Sequence, residues 1–417
     1  MSPQPPKSHR RRQSNTPKTP PTLPEELITD ILSRLTVKHL MQMKCVSKSW
    51  NTLITDPVFT KMHFSRSALN PFFSLISNNL SARDGDCSFV TVPVNRLLEN
   101  RYITVPKSPY FRLRDKECRD VVGSCNGLVC LIGYSINEWT KYKRVWFRFW
   151  NPATRSISEK LGYFFYYDKN ERKSIKFVFG YDNSTDTYKV VMLRSGCESD
   201  PESKVSAKAF SFGGNVWRNI QSFPVVPLQL VMDPRENNGV VKENDGVYLS
   251  GSINWLAYRD DDNLRKDNPV EKYVIVSLDL GTETNTQFLL PEGFEKESYV
   301  GPSVCVLKDS LCFCHDLDLT DFVIWQMMEF GNEKSWTQFL KFSYHSVRMN
   351  YEFGLPLLKL MPLHLSENGD TVVLANNRQD RVILYNRRNN RARKTILNTK
   401  ICWPSLKDYV ESLVSTS

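Results

Sequence analysis

From about residue 119 the chain repeats one pattern: two strands around a tight turn, a longer loop, then two more strands around a second tight turn. The first copy runs from DVVGSCNGLVCLIG to RVWFRFWNPATRSISEKL, and the second joins IKFVFGYDNSTDTYKVVML to AKAFSFGGNVWRNI. GVYLSGSINWLAY and KYVIVSLDLGTETNTQFLLP make a third, and SVCVLKDSLCFCH and DFVIWQMMEFGNEKSWTQFLKF a fourth. The fifth runs from LMPLHLSENGDTVVLA to RVILYNRRNNRARKTIL. Asn-Gly, Gly-Gly, Ser-Gly and Asn-Gly-Asp between alternating apolar runs are hairpin turns, since such residues accept the positive φ that a tight turn demands. A period of about 45–60 residues with four strands per copy fits propeller blades. One such sheet alone leaves faces that only neighbouring sheets can cover, and closure into a ring covers them all. A sixth blade is expected from the strands before residue 115, SFVTVPV and RYITVP, together with the segment after 398.

A different periodicity precedes these strands. Thr22 and Glu25 have capping-box spacing, Pro24 suits a first helical position, and Glu25 and Glu26 complement the positive helix end. Leu27, Ile28, Ile31, Leu32 and Leu35 then recur at three- and four-residue steps and form one apolar face. A second short helix is expected from Val37, carrying Leu40, Met43 and Val46. A third, from about Lys48, carries Trp50, Leu53 and Ile54 and is expected to stop before Asp56-Pro57. Three short helices are marginal alone, because helix stability comes mainly from tertiary packing. This block also holds more large apolar side chains than it can hide, and each one left exposed forfeits roughly 1.5–3 kcal/mol. It must complete its core against the rest of the chain or against another protein.

LPEELITDILSRLTVKHLMQMKCVSKSWNTLITDPVF, residues 23–59, resembles an F-box, the motif that docks to the Skp-type adaptor of cullin-RING ubiquitin ligases. The Leu-Pro opening, the Ile-Leu-x-x-Leu end of the first helix and Cys-Val-Ser-Lys-x-Trp agree in order and spacing. The resemblance implies that Leu23, Pro24, Leu27, Ile31, Leu32, Leu35, Leu40, Val46 and Trp50 form the docking and supporting set. Thr36 stands where the family usually has proline, and Met41-Gln42-Met43 replaces a more basic stretch. The strand region resembles the F-box-associated domain of plant F-box proteins, a degenerate relative of kelch propellers. The matching stretches are Ser124-Cys125-Asn126-Gly127-Leu128-Val129-Cys130-Leu131, Trp150-Asn151-Pro152-Ala153-Thr154-Arg155 and Phe179-Gly180-Tyr181-Asp182 with Asp186-Thr187-Tyr188-Lys189-Val190-Val191, then Glu333-Lys334-Ser335-Trp336-Thr337. The fold class expected is multidomain: a small all-α F-box of three helices followed by an all-β, propeller-like domain. Residues 1–22 form a basic, proline-rich tail, 23–65 the helical block, 66–115 a connecting segment with strands, and 116–417 the propeller.

In a propeller blade the first and third connections lie on one side of the ring, the second and the inter-blade links on the other. Here the first and third are tight (CNG, NPATRS, NSTD, GGN, GTET, KDS), whereas the others, such as GYSINEWTKYKR and YRDDDNLRKDNPVEK, are long and varied. Loops on a rigid scaffold are where recognition usually resides. Trp139, Tyr163, Phe164, Tyr166 and Tyr167 supply the aromatic area common at interface hot spots, and they are the candidate client-binding residues. The competing reading makes the Phe-Phe-Tyr-Tyr run a strand buried between blades.

No catalytic constellation emerges. The chain has six histidines, no phosphate-cradling glycine loop, no His-Glu-x-x-His and no Gly-x-Ser-x-Gly. Cys312-x-Cys314-His315 lacks a second ligand pair at zinc spacing and reads as packed thiols, and Asp260-Asp261-Asp262 reads as a solvated loop. No metal and no cofactor are expected. Of the net charge of +10, half lies in the first 22 residues, where five Lys and Arg meet no acid. The other basic run, RRNNRARK at 387–394, is expected at a hairpin tip, so nucleic acid is not an expected partner. No run of about 18 apolar residues marks a membrane span, and no secretory signal opens the chain, so its ten cysteines are expected as thiols in the cytoplasm or nucleus. The resemblance implies a non-catalytic substrate-recognition subunit of an SCF-type ubiquitin ligase, joined through the adaptor to cullin and RING subunits and holding a client on the propeller loops. The alternative is a nucleic-acid-binding or non-degradative scaffold built on the same propeller.

Overall fold

The computed structural model describes residues 23–67, 72–77, 87–103, 112–115, 117–137, 139–140, 142–167, 175–195, 205–214, 216–230, 246–259, 272–294, 301–347, 359–376, 381–397 and 407–416. Thr22 and the Asp260-Asp261-Asp262 run therefore lie outside the described residues, as does the tail over 1–22. Four helices open the chain: α1 (Glu25–Ser33), α2 (Val37–Met43), α3 (Lys48–Thr55) and α4 (Pro57–Ser67). The fourth was not expected. Asp56-Pro57 does end α3, but it also starts α4: the Asp56 carboxylate accepts the N–H groups of Val58 (2.7 Å) and Phe59 (3.3 Å), and proline fills a position whose N–H needs no partner. Leu32, Leu40, Ile54 and Phe59 are buried together at the centre of the block. Arg66 of α4 reaches back to Asp30 of α1 (2.9 Å), and His63 bonds the Leu35 carbonyl (2.8 Å).

Among the described residues the strands form six sheets. Along the chain come β1 (Phe72–Ser77), β2 (Cys87–Pro93), a short helix α5 (Val94–Glu99), β3 (Tyr102–Ile103) and β4 (Arg112–Asp115). The second sheet holds β5 (Asp120–Cys125), β6 (Leu128–Ile136), β7 (Tyr142–Asn151), β8 (Ser156–Ile157) and β9 (Leu161–Tyr167). β8 and β9 both pair with β7 and together act as one broken outer strand. The third is β10 (Ile175–Asp182), β11 (Thr187–Ser195), β12 (Val205–Ser211) and β13 (Trp217–Phe223). The fourth is β14 (Val226–Pro227), β15 (Val247–Leu249), β16 (Ser252–Tyr258), β17 (Tyr273–Asp279) and β18 (Asn285–Phe288). The fifth is β19 (Ser303–Leu307), β20 (Ser310–Leu317), β21 (Asp321–Met327) and β22 (Trp336–Ser343), and the sixth β23 (Leu360–Leu365), β24 (Thr371–Asn376), β25 (Arg381–Asn386) and β26 (Arg391–Leu397). Last comes β27 (Lys407–Tyr409), which returns to the first sheet and gives it the order β27-β1-β2-β4. The expected sixth blade is thus made of both ends of the propeller region, and β3 adds in parallel to the outer strand of the last sheet.

Each pair of neighbouring sheets shares an apolar seam. Phe147, Phe149, Phe179 and Phe210 pack between the second and third sheets, and Val191, Leu193, Phe223 and Trp255 between the third and fourth. Tyr273, Phe294 and Phe313 fill the next seam, and Phe322, Phe342, Val372 and Tyr385 the one after. Val92 and Leu97 meet Val373 and Val382 across the sixth and first sheets, and Phe89 and Tyr409 meet Val129 and Trp150 across the first and second. Burial of both faces of inner strands such as β16 and β17 makes them read as nearly continuous apolar runs, whereas the outer strands β13, β18 and β22 keep exposed positions.

Polar locks set the seams in register. Asn151 is fully buried: its amide donates to the carbonyls of Ser412 (3.0 Å) and Val414 (2.8 Å), and its Oδ1 accepts from Ala153 N–H (3.0 Å) and the Tyr409 hydroxyl (3.1 Å). Lys189, also buried, lies 2.9 Å from both Asp182 of its own sheet and Glu283 of the next. Burial alone pushes the Asp182 carboxyl up, but hydrogen bonds from Ser184, Thr185 and Lys189 outweigh it and hold the group well below the usual carboxylate range.

Replacing Asn151 with Ala strands several buried backbone groups and is expected to cost about 2–4 kcal/mol, read by urea denaturation of the full chain. Asp182 sets a pH signature. Because its folded pKa is depressed, its contribution is complete above the unfolded value of about 3.9 and is lost as pH falls from there. Asp182→Asn should be less stable at neutral pH yet lose less on acidification from pH ~5 to ~3, a slope that thermal midpoints across that range measure directly.

Candidate functional site

The helical block presents one face to solvent. Leu23 is 59% exposed, Leu27 51%, Ile31 52% and Val46 60%, and Pro24 is exposed beside them. Leu32 and Leu40, at 2% and 0%, are core. They cannot touch a partner, and the expected docking set is corrected to that extent. The periodicity marked an apolar stripe, but Leu32 and Leu40 turn toward Ile54 and Phe59, while Leu27 and Ile31 turn away. Leu35 and Trp50 are half-buried supports for the same core. Val58 at 75% and Met41 at 37% are exposed apolar residues too; Val58 was not singled out from the sequence, and Met41 only within the Met41-Gln42-Met43 departure.

The opposite side of the block is seated on the propeller. Val37 is fully buried in the seam between the first and second sheets, with Phe89, Trp150 and Tyr409. Its N–H donates to Glu411 (3.4 Å), whose carboxyl is pushed up by burial and only partly drawn back by this bond. Leu413 touches both the helical core and that seam. Lys61 of α4 meets Asp186 in the β10–β11 turn at 3.1 Å. Since the β5–β6 turn packs on Ser412 and the β10–β11 turn meets α4, the helical block sits on the side of the tight turns. The strand ends from which the long connections leave are on the far side. Most residues of those connections are outside the described set.

One described part of that far side is rich in aromatic rings. Trp139, between β6 and β7, is 96% exposed, and the Asn137 side chain fixes its loop by accepting the N–H groups of Trp139 and Thr140, both at 3.0 Å. The described side chains of the Phe-Phe-Tyr-Tyr run alternate between the two faces of the sheet. Phe164 and Tyr166 turn into the seam with the third sheet, Phe164 lying 5.4 Å from Trp217 and 6.1 Å from Phe177 between ring centres. Both are half-buried there, so the surface they offer a client is partial. Tyr163 and Phe165 turn outward, 40% and 58% exposed. Phe165 was missed, although strict alternation makes it the natural companion of Tyr163. The side chain of Tyr167 lies outside the described set. Cys312, Cys314 and His315 are buried, and His315 Nε2 accepts from the Trp325 indole (3.2 Å). In the basic run, Arg387 stacks 3.9 Å over Phe339 while donating to backbone carbonyls, Arg388 pairs with Asp370 (2.7 Å), and Arg393 donates to the Leu98 and Glu99 carbonyls. This tip fastens neighbouring elements.

Comparison with known proteins agrees with this architecture. A model of the F-box-associated β-propeller domain matches residues 87–416, and one of the F-box domain matches residues 21–62. The chain belongs to the F-box proteins that carry an F-box-associated propeller. An F-box/kelch-repeat protein of Arabidopsis thaliana is 25% identical over 95% of this chain and 96% of its own length. An F-box/LRR-repeat/kelch-repeat protein of the same plant is 28% identical over 76% and 75%. Among solved structures, TolB from Acinetobacter baumannii covers 85% of this chain and 73% of its own at 8% identity, with a TM-score of 0.42.

The division of the F-box stripe has a direct test in stability. Leu32→Ala and Leu40→Ala should each cost about 2–5 kcal/mol in thermal or chemical unfolding, whereas Leu27→Asp and Ile31→Asp should stay within about 0.5 kcal/mol of the parent.

Proposed function

We propose that this protein is a non-catalytic substrate receptor of an SCF-type ubiquitin ligase, docking to a Skp-type adaptor through the F-box and holding a client protein on the far side of the propeller. The observation that carries the reading is the exposed apolar face of Leu23, Pro24, Leu27, Ile31 and Val46 on a block whose other side is already anchored. An isolated surface of this kind forfeits hydrophobic free energy unless a partner covers it. Through the adaptor the receptor meets the cullin and RING subunits, which supply the ubiquitin chemistry in trans. Its own contribution is proximity: a client held on the ring places its lysines at high effective concentration near the charged conjugating enzyme. Seating the F-box on the side of the tight turns supports this division of labour, because it leaves Trp139 and the outward rings of Tyr163 and Phe165 exposed on the other. The site of action in this reading is the cytoplasm or nucleus, where such ligases meet reduced proteins.

The purified Skp-type adaptor should bind the full chain with submicromolar affinity. The double variant Leu27→Asp/Ile31→Asp should lose about 100-fold or more while keeping the parent's thermal midpoint. Absence of binding by the folded parent, or binding indifferent to the double variant, would refute the receptor reading.

A further inference from the structure

The outer corner of the second sheet combines three features found together nowhere else among the described residues. The first is an open edge. β9 is the outermost strand of its sheet and pairs with β7 on one side only; on the other, the Gly162 carbonyl accepts from the Trp217 indole (3.0 Å) and no described strand pairs with it. The second is exposed aromatic area on that strand, from Tyr163 and Phe165. The third is a pair of cations without counter-charges. Arg144 lies 4.1 Å from the ring centre of Tyr163 and 5.6 Å from that of Phe165; Lys143 lies 4.5 Å from Tyr134 and 5.7 Å from Tyr166. Neither meets a carboxylate among the described residues. Elsewhere on the ring Arg148, Lys160, Lys189, Arg218, Lys341 and Arg388 all do.

We infer that the free edge of β9 takes an acidic, extended peptide segment of a partner protein as an added antiparallel or parallel strand, with two adjacent acidic residues meeting Arg144 and Lys143. This rests on the receptor reading only in that the segment then belongs to the client. The register supplies the acidic pair. Arg144 is opposite Phe165 and Lys143 opposite Tyr166, so the two cations lie on opposite faces of the sheet at consecutive pairs. Arg144 reaches outward over the rings of β9, which brings its charge to within about one strand spacing, ~4.8 Å, of an added chain, while Lys143 lies on the other face between Tyr134 of β6 and Tyr166 of β9. Successive side chains of that chain alternate between the two faces, so two adjacent acids present one carboxylate to the face of each cation. Stacking on the rings keeps both cations extended in advance, which lowers the ordering cost of binding. Single-stranded nucleic acid would also find rings and cations here, but it has no use for a row of unpaired backbone groups, and the rings are packed in a sheet plane rather than spaced as separate platforms for bases.

The test is fluorescence anisotropy on the full chain, using a labelled peptide of roughly nine alternating Thr and Val residues with two central glutamates. Beside it run a version with two central lysines, a version with N-methylated central amides, and a labelled oligo-dT of similar length. The Glu-Glu peptide should bind about tenfold or more tighter than the Lys-Lys peptide, weaken with salt, and lose binding on N-methylation. Lys143→Glu/Arg144→Glu should reverse the preference, with Arg144→Gln giving an intermediate loss should the double variant fail to fold. Equal binding of the two charged peptides, binding indifferent to N-methylation or to the variants, or tighter binding of oligo-dT would each overturn the inference. Adaptor binding measured on the same variants should be unchanged. Its absence in the parent, with peptide binding intact, would sink the receptor reading and leave the open edge standing.

Discussion

Everything in this molecule hangs on the fastening of residues 407–416 to Asn151. A propeller built from consecutive blades has two raw faces, at its first and last sheet, and it gains their burial only if the ring closes. Here closure is made by β27 entering the sheet of β1, β2 and β4, and a strand of three residues pairing with one neighbour is a weak clasp by itself. Asn151 strengthens it by bonding the carbonyls of Ser412 and Val414 and the hydroxyl of Tyr409, from a position with no solvent access. In such a site a hydrogen bond left unmade costs the full desolvation of its group. Gly127 shows how close the packing is: a Cβ there would lie 1.9 Å from Ser412 Oγ, and its φ of +82° already favours glycine.

The same segment joins the F-box to the ring. Glu411 receives the N–H of Val37, and Leu413 lies between the helical core and the seam below. Closure of the ring and seating of the F-box are therefore one event, sharing one strap. A receptor that works by proximity gains from this, since effective concentration falls when the joint between two binding modules loosens. The salt bridge of Lys61 with Asp186 adds little to the joint, because both groups are more than half exposed and screened.

Much of this was legible in the amino-acid order. Turn residues between alternating runs fixed five sheets and the expectation of a sixth from the two ends, because hairpin chemistry is local and survives divergence. The F-box stripe was legible as a stripe. What alternation and helical spacing do not carry is the direction in which a stripe faces. Leu32 and Ile31 are adjacent and similar, and only the packing of α3 and α4 decides that one is core and the other surface. The same ambiguity put Phe164 and Tyr166 on the candidate surface in place of Phe165. The helix after Pro57 was lost for another reason: Asp-Pro is both a good ending and a good beginning, and the sequence does not say that the second use follows at once. Asn151 stood out within Trp-Asn-Pro-Ala-Thr-Arg, but the partners through which it closes the ring lie more than 250 positions away, beyond any local rule.

The distribution of charge completes the argument about which surfaces are free. A chain of net charge +10 has cations to spare, so a basic residue at the surface carries little information by itself. What distinguishes one is whether the fold has already used it. Lys189 is consumed by Asp182 and Glu283 in holding two blades together, Arg148 by Asp115, and Arg393 by the carbonyls of Leu98 and Glu99. These groups mark seams and turns, and removing them weakens the ring. Arg144 and Lys143 meet no carboxylate among the described residues, and their neighbours are the rings of Tyr163, Phe165, Tyr134 and Tyr166. Both cations stand on β7, one on each face, beside the open edge of β9, an arrangement that suits the strand addition inferred above.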